Sequence, residues 1–203
     1  MRSLLFSVLA FLLFFLNGCH ISNLQAQYLK ENGNWIYVTY DEAAGRRVKN
    51  LDVDNDSFTV LKNKEYAKDK NTVLYKGRVI KDASPNSFEV INDEGYSKDE
   101  NNVFVDFDKV IGANPKTFVY LSFPYSKDDK DVYCGTLPIF VKNIEEFKVT
   151  EKGRERRTTL TSNFIKSNPD YSFIDPQKYE GVVYGDGKGE TKGQKYVGYK
   201  LVR

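Results

Sequence analysis

The chain is poor in the residues that do most enzyme chemistry. Among 203 residues there are one histidine, two cysteines, one tryptophan and one methionine. Histidine is the commonest general base, and His20 stands next to Cys19 near the start of the chain, away from any catalytic constellation. Cys134 has no histidine to activate it, and its place in a strand pattern reads as a small buried hydrophobe rather than a nucleophile. With Cys19 used as described below, no intramolecular disulfide is available and the core must hold without one. An excess of one charge is also missing: 30 Lys and Arg face 28 Asp and Glu, interleaved as in Lys127-Asp128-Asp129-Lys130-Asp131. The one basic cluster, Arg154, Arg156 and Arg157, is diluted by Glu151 and Glu155, so nothing points to nucleic acid.

Only one long apolar run occurs. After Met1-Arg2 the block Leu4 to Leu16 is almost wholly apolar and closes on Asn17-Gly18-Cys19. A membrane-spanning helix wants about 20 apolar residues, so this shorter block reads as a cleavable signal peptide, with a retained membrane anchor as the alternative. Leu16-Asn17-Gly18-Cys19 resembles the lipobox of bacterial lipoproteins. The resemblance implies cleavage before Cys19 and lipid on its thiol and amine, each buried methylene contributing about 0.8 kcal/mol to anchoring. With His20 rather than aspartate after the cysteine, it further implies the outer membrane in a two-membrane bacterium. The expected organisation is a signal peptide over 1–18, a lipidated tether over 19–27, a repeat array over 28–150 and a β-rich capping segment over 151–203.

The array is the most informative feature. Tyr66-Ala67-Lys68-Asp69-Lys70-Asn71-Thr72-Val73 returns as Tyr96-Ser97-Lys98-Asp99-Glu100-Asn101-Asn102-Val103 and as Tyr125-Ser126-Lys127-Asp128-Asp129-Lys130-Asp131-Val132. A second column, Phe58, Phe88, Phe118 and Phe147, keeps the same spacing of about 30 residues. Asp54, Ser84, Asn114 and Asn143 stand four residues before each Phe, as N-caps of a short helical turn, with Pro85 and Pro115 at its first position. From each Phe a period-two pattern predicts a strand. The polar Tyr-x-Lys-Asp stretch then hands over to a second one, such as Val73-Leu74-Tyr75, and Lys76-Gly77 predicts a two-residue hairpin. One unit buries too little to fold alone, so the expected fold is mainly β: short hairpins or meanders stacked at a period near 30 residues, with a β-rich C-terminal cap.

Tyr-x-Lys-Asp-x-Asn-x-Val followed by an aromatic strand and a Lys-Gly turn resembles the DKNYY family of bacterial repeats, over about Tyr28 to Thr150. The third copy has Lys130 where Asn is expected, and a degenerate copy around Trp35 has Glu31 for Asp. The resemblance implies repeat architecture and an envelope location rather than a mechanism.

Other motifs have plain readings. Asp52-Val53-Asp54-Asn55-Asp56 begins like a calcium loop, but Ser57 replaces the turn glycine and Asn63 the closing Glu. Gly185-x-Gly187-x-Gly189 lacks the Gly-Lys-Ser/Thr ending of a phosphate loop and reads as a loop between two strand-like runs, Glu180 to Tyr184 and Lys195 to Val202. No metal, cofactor or catalytic set is expected. Lys68, Asp69, Asn71, Lys98, Asp99, Asn101, Lys127 and Asp128 form either a binding row on one face or a loop that must turn alike in each unit. The expected role is non-enzymatic: a lipid-anchored envelope protein binding a protein or glycan partner, or filling a structural role. The alternatives are an immunity or inhibitor lipoprotein blocking a toxin or hydrolase, and an enzyme built on Asp69, Asp99 and Asp128 alone.

Overall fold

The computed structural model describes residues 25–154 and 157–202. The signal-peptide block and Cys19 lie outside the described residues. Among these no helix is long and apolar enough to cross a membrane.

The chain is a row of small antiparallel meanders. The first sheet has three strands, β1 (Gln27–Glu31), β2 (Asn34–Asp41) and β3 (Gly45–Asn50). Next comes β4 (Thr59–Val60), β5 (Tyr66–Lys68), β6 (Val73–Tyr75) and β7 (Arg78–Val79), paired in chain order. The pattern repeats in β8 (Glu89–Val90), β9 (Tyr96–Lys98), β10 (Val103–Val105) and β11 (Asp108–Lys109). It repeats again in β12 (Val119–Ser122), β13 (Tyr125–Lys127), β14 (Val132–Cys134) and β15 (Leu137–Pro138). Lys76 and Gly77 form the expected two-residue hairpin, both with positive φ, 48° and 71°. The short capped turns before each Phe are single hydrogen-bonded turns, as in Thr117 N to Asn114 O at 3.2 Å, and Asp54 caps its turn by accepting from Ser57 N at 3.0 Å. Only four residues separate each cap from its strand, which limits the segment to one turn.

Stacking follows the two columns found in the sequence. The tyrosine of each unit packs on the phenylalanine of the next: Tyr28 on Phe58, Tyr66 on Phe88, Tyr96 on Phe118 and Tyr125 on Phe147, with ring centroids 5.8, 5.8, 6.2 and 5.3 Å apart. Tyr66, Tyr96 and Tyr125 are fully buried. Their hydroxyls tie units together: Tyr28 donates to Glu65 O at 3.1 Å, Tyr96 to Pro124 O at 3.0 Å, and Tyr125 to Gly198 O at 2.9 Å. Tyr66 is the exception, its hydroxyl facing Ser97.

The sequence motif stops at Thr150, but the architecture does not. β16 (Lys148–Glu151) pairs with β19 (Lys188–Thr191), which pairs with β20 (Gln194–Val197), which pairs with β21 (Lys200–Leu201). The hydrogen bonds of earlier units recur there. Ile80 N to Val73 O, Val110 N to Val103 O and Ile139 N to Val132 O, at 2.8, 2.8 and 2.9 Å, are matched by Val202 N to Lys195 O at 2.7 Å. Lys76 N to Glu65 O at 2.7 Å is matched by Gly198 N to Gly187 O at 2.9 Å. Three strands of the last meander therefore come from the segment without the motif, and residues 152–187 leave the array between its first and second strand.

This excursion holds β17 (Arg157–Thr159), helix α1 (Ser162–Ser167) capped by Thr161, a 3-10 turn over Pro169–Tyr171, and β18 (Val182–Tyr184) paired with β17. It packs back on the array through Leu160, Phe164, Tyr171, Ile174 and Val183 around Leu137. Backbone bonds fix it: Thr136 N donates to Val182 O at 2.8 Å and Tyr199 N to Tyr184 O at 3.2 Å. The glycine run is thus not an open loop between two strands. It leads into β19, and at Gly189 a Cβ would lie 2.2 Å from the Phe147 ring, so only glycine fits against that core residue.

Candidate functional site

Each Lys-Asp loop is held by its own aspartate. One oxygen of Asp99 accepts from Asn101 N and Asn102 N at 2.8 and 2.7 Å, and the other from Ser84 N at 2.8 Å in the turn that opens the unit. Asp69 does the same with Asn71, Thr72 and Asp54, at 2.7, 2.6 and 2.6 Å. Asp128 repeats it with Lys130, Asp131 and Asn114, at 2.7, 2.9 and 2.6 Å. Burial works to raise the Asp69 carboxyl, but these N–H donors outweigh it and hold the group below its ordinary range. The three carboxylates are buried.

The lysines point forward. Lys68 Nζ donates to Pro85 O at 2.6 Å and Lys98 Nζ to Pro115 O at 3.2 Å, in the turn of the following unit, and Lys127 pairs with Glu145 at 3.1 Å. Asn71 and Asn101 are exposed and join through their backbone N–H. Lys130 keeps the same backbone bond, which explains how the third copy departs from the motif without losing the loop. The terminal sheets replace the loop by tight turns at Asn32-Gly33 and Lys192-Gly193. Among the described residues no group of three or more His, Cys, Asp or Glu is placed to hold a metal. Asp54, in the calcium-like run, accepts instead from Ser57 N at 3.0 Å and pairs with Lys70 at 2.7 Å. Cys134 is fully buried, which pushes its thiol up to about 12.

At the other end of the strands lies a cleft of about 640 Å³. Sequence reading missed it. It lies beside turns that occupy equal places in successive units, at Glu65, Gly95, Pro124 and Gly187, and that carry no residue common to all four. Its four acids, Glu65, Asp93, Glu94 and Asp106, all come from array turns. Three of its four cations, Lys152, Arg154 and Arg157, come from the excursion, and Lys76 is the fourth. Arg157 joins the two walls, 3.5 Å from Asp106 and 3.3 Å from Asp108, and Lys152 pairs with Glu94. Lys76 pairs with Glu65 at 3.0 Å within the array wall.

Two carboxylates thus share one guanidinium. Desolvation pushes Asp106 up although Tyr75, Arg157 and Lys76 pull it down. Asp108 is only 4% exposed. Burial pushes it up to about 6, against Arg157 and Arg78 and helped by Glu180 and Asp106. Because its folded value lies above its unfolded one, its contribution to stability is greatest at low pH and is lost as pH rises from about 4 to about 6. Urea unfolding of wild type and Asp108→Asn across pH 4 to 7 checks this. The wild type should lose up to about 3 kcal/mol relative to the variant over that window and run parallel above it. Parallel behaviour throughout would refute it.

No curated protein and no solved structure matches the chain. The sequence profile of the DKNYY family matches residues 28–163, the stretch that carries the tyrosine column, the Asp-held loops and the first strand of the last meander. The chain belongs to the DKNYY family.

Proposed function

We propose that this chain is a non-enzymatic, lipid-anchored envelope protein whose repeat array is a binding scaffold, its ligand held in the charged cleft rather than on the Lys-Asp loops. The observation that carries this reading is how the motif is used. In all three full copies both aspartate oxygens are occupied by backbone N–H groups, and two of the three lysines are spent on backbone carbonyls. A row so engaged offers a partner little, whereas insertions in repeat proteins gather on the binding face. The excursion lines the cleft with Lys152, Gly153, Arg154 and Arg157 from its start and Tyr184 from near its end.

Two arms test it. Cys19→Ala should abolish palmitate labelling and release the protein from the membrane fraction; retention of both would remove the anchor. In-cell cross-linking should give adducts that Glu94→Lys with Arg157→Glu eliminates and Lys70→Ala with Lys130→Ala leaves unchanged. Adducts that depend on the loop edge instead would overturn the cleft reading.

A further inference from the structure

We propose that the cleft binds a short peptide with free ends, its ammonium group against the Glu65, Glu94 and Asp106 wall and its carboxylate against Lys152 and Arg157. This rests on the reading of the cleft as the binding face. The charges are sorted by origin: every acid belongs to the array and three of four cations to the excursion, so the two walls face each other with opposite sign. A zwitterion can match both walls at once; an ion of one sign matches only one.

The walls meet through Lys152 with Glu94 and Arg157 with Asp106, ion pairs whose lysine and arginine are 58% and 39% exposed. The two cations are exposed enough to meet a ligand carboxylate, and its ammonium would take their place beside Glu94 and Asp106, while Arg157 keeps its bond to the buried Asp108. The size is suitable, since 640 Å³ falls within the range of about 300 to 1,000 Å³ for small-ligand sites.

The aromatic lining favours a peptide over a sugar. Tyr75, Phe123 and Tyr184 are buried. Phe107 carries the Arg78 guanidinium 3.5 Å from its ring centre. Three of the four rings are thus buried, and the fourth, Phe107, already has the Arg78 and Arg157 guanidinium groups 3.5 and 5.6 Å from its centre, which leaves little ring face on which a pyranose could stack.

The test uses the mature full-length protein in detergent and penta-alanine in four forms: free ends, N-acetylated, C-amidated and doubly blocked, titrated by calorimetry. The free-ended peptide should saturate, and blocking either end should weaken binding at least tenfold. Lys152→Gln and Glu94→Gln, confirmed as folded by their melting temperatures, should weaken the free-ended peptide by a similar factor. Lys130→Ala on the opposite edge should not. Equal binding of all four forms, or no saturation of the folded protein at about 10 mM peptide, would overturn the proposal. If penta-alanine fails while chitotetraose binds and is lost in the same variants, the peptide class falls and the scaffold reading stands. If the in-cell adducts also ignore the cleft, both fall.

Discussion

Asp99→Ala is expected to cost about 3 kcal/mol or more, which for a domain of ordinary stability, about 5 to 15 kcal/mol, is a large fraction of the whole. The side chain is 3% exposed and accepts three backbone N–H bonds, from Asn101, Asn102 and Ser84. Alanine removes all three acceptors at once. Two of the stranded donors sit in the loop between β9 and β10 and the third in the opening turn of the unit, so the change unpins the central loop of the meander from the turn that opens it. Asp99→Asn should fall between, because its amide oxygen can serve one side while its NH₂ meets an N–H donor on the other. Asn101→Lys, the natural exchange at Lys130, should stay within about 0.5 kcal/mol. Urea midpoints of the four proteins give the comparison. A loss below about 1 kcal/mol in Asp99→Ala would show that the loop does not depend on its carboxylate.

The same residues show what the sequence made legible. The tyrosine and phenylalanine columns announced the period, the stacking and the strand alternation because each must be large and apolar to fill the junction between two units. The Asp column was equally visible, since only a short acceptor can reach N–H groups two and three residues on. Two things stayed hidden. Lys188-Gly189-Glu190-Thr191-Lys192-Gly193-Gln194-Lys195 follows the backbone path of the Tyr66 to Val73 segment with almost none of its residues. Its tight turn at Lys192-Gly193 needs no aspartate, and the contact with Phe147 demands glycine where the other units carry Ala67, Ser97 and Ser126. The cleft was hidden for a different reason. Its charged walls are joined by Arg157 and Asp106, which lie 51 residues apart and come together only through the excursion.

The largest effect expected of any change follows from the completed last meander. The family match ends at residue 163, and a chain cut there keeps every recognisable motif. It is nonetheless expected not to reach a stable fold. Truncation removes β18, β19, β20 and β21 and leaves β16 as an unpaired edge, of the kind that seeds association between chains. It strips Phe147 of its contact with Tyr196, whose rings lie 5.9 Å apart, and Phe123 of Tyr184 at 4.5 Å. It deprives the buried Tyr125 hydroxyl of both its acceptors, Gly187 O and Gly198 O. Each large apolar side chain uncovered costs about 1.5 to 3 kcal/mol, and Phe123, Leu137, Phe147 and Leu160, buried in the whole protein, would all lose cover from the removed residues, so together they approach the total stability of a domain. Gly189→Val is the point-mutation counterpart: its first side-chain carbon would meet the Phe147 ring at 2.2 Å, in a core that has no slack. Limited proteolysis and gel filtration of the two proteins beside the wild type decide the matter. Rapid digestion and aggregation of both are expected. A monodisperse, protease-resistant chain ending at residue 163 would mean that the array closes without its last three strands, and that they are an appendage rather than part of the fold.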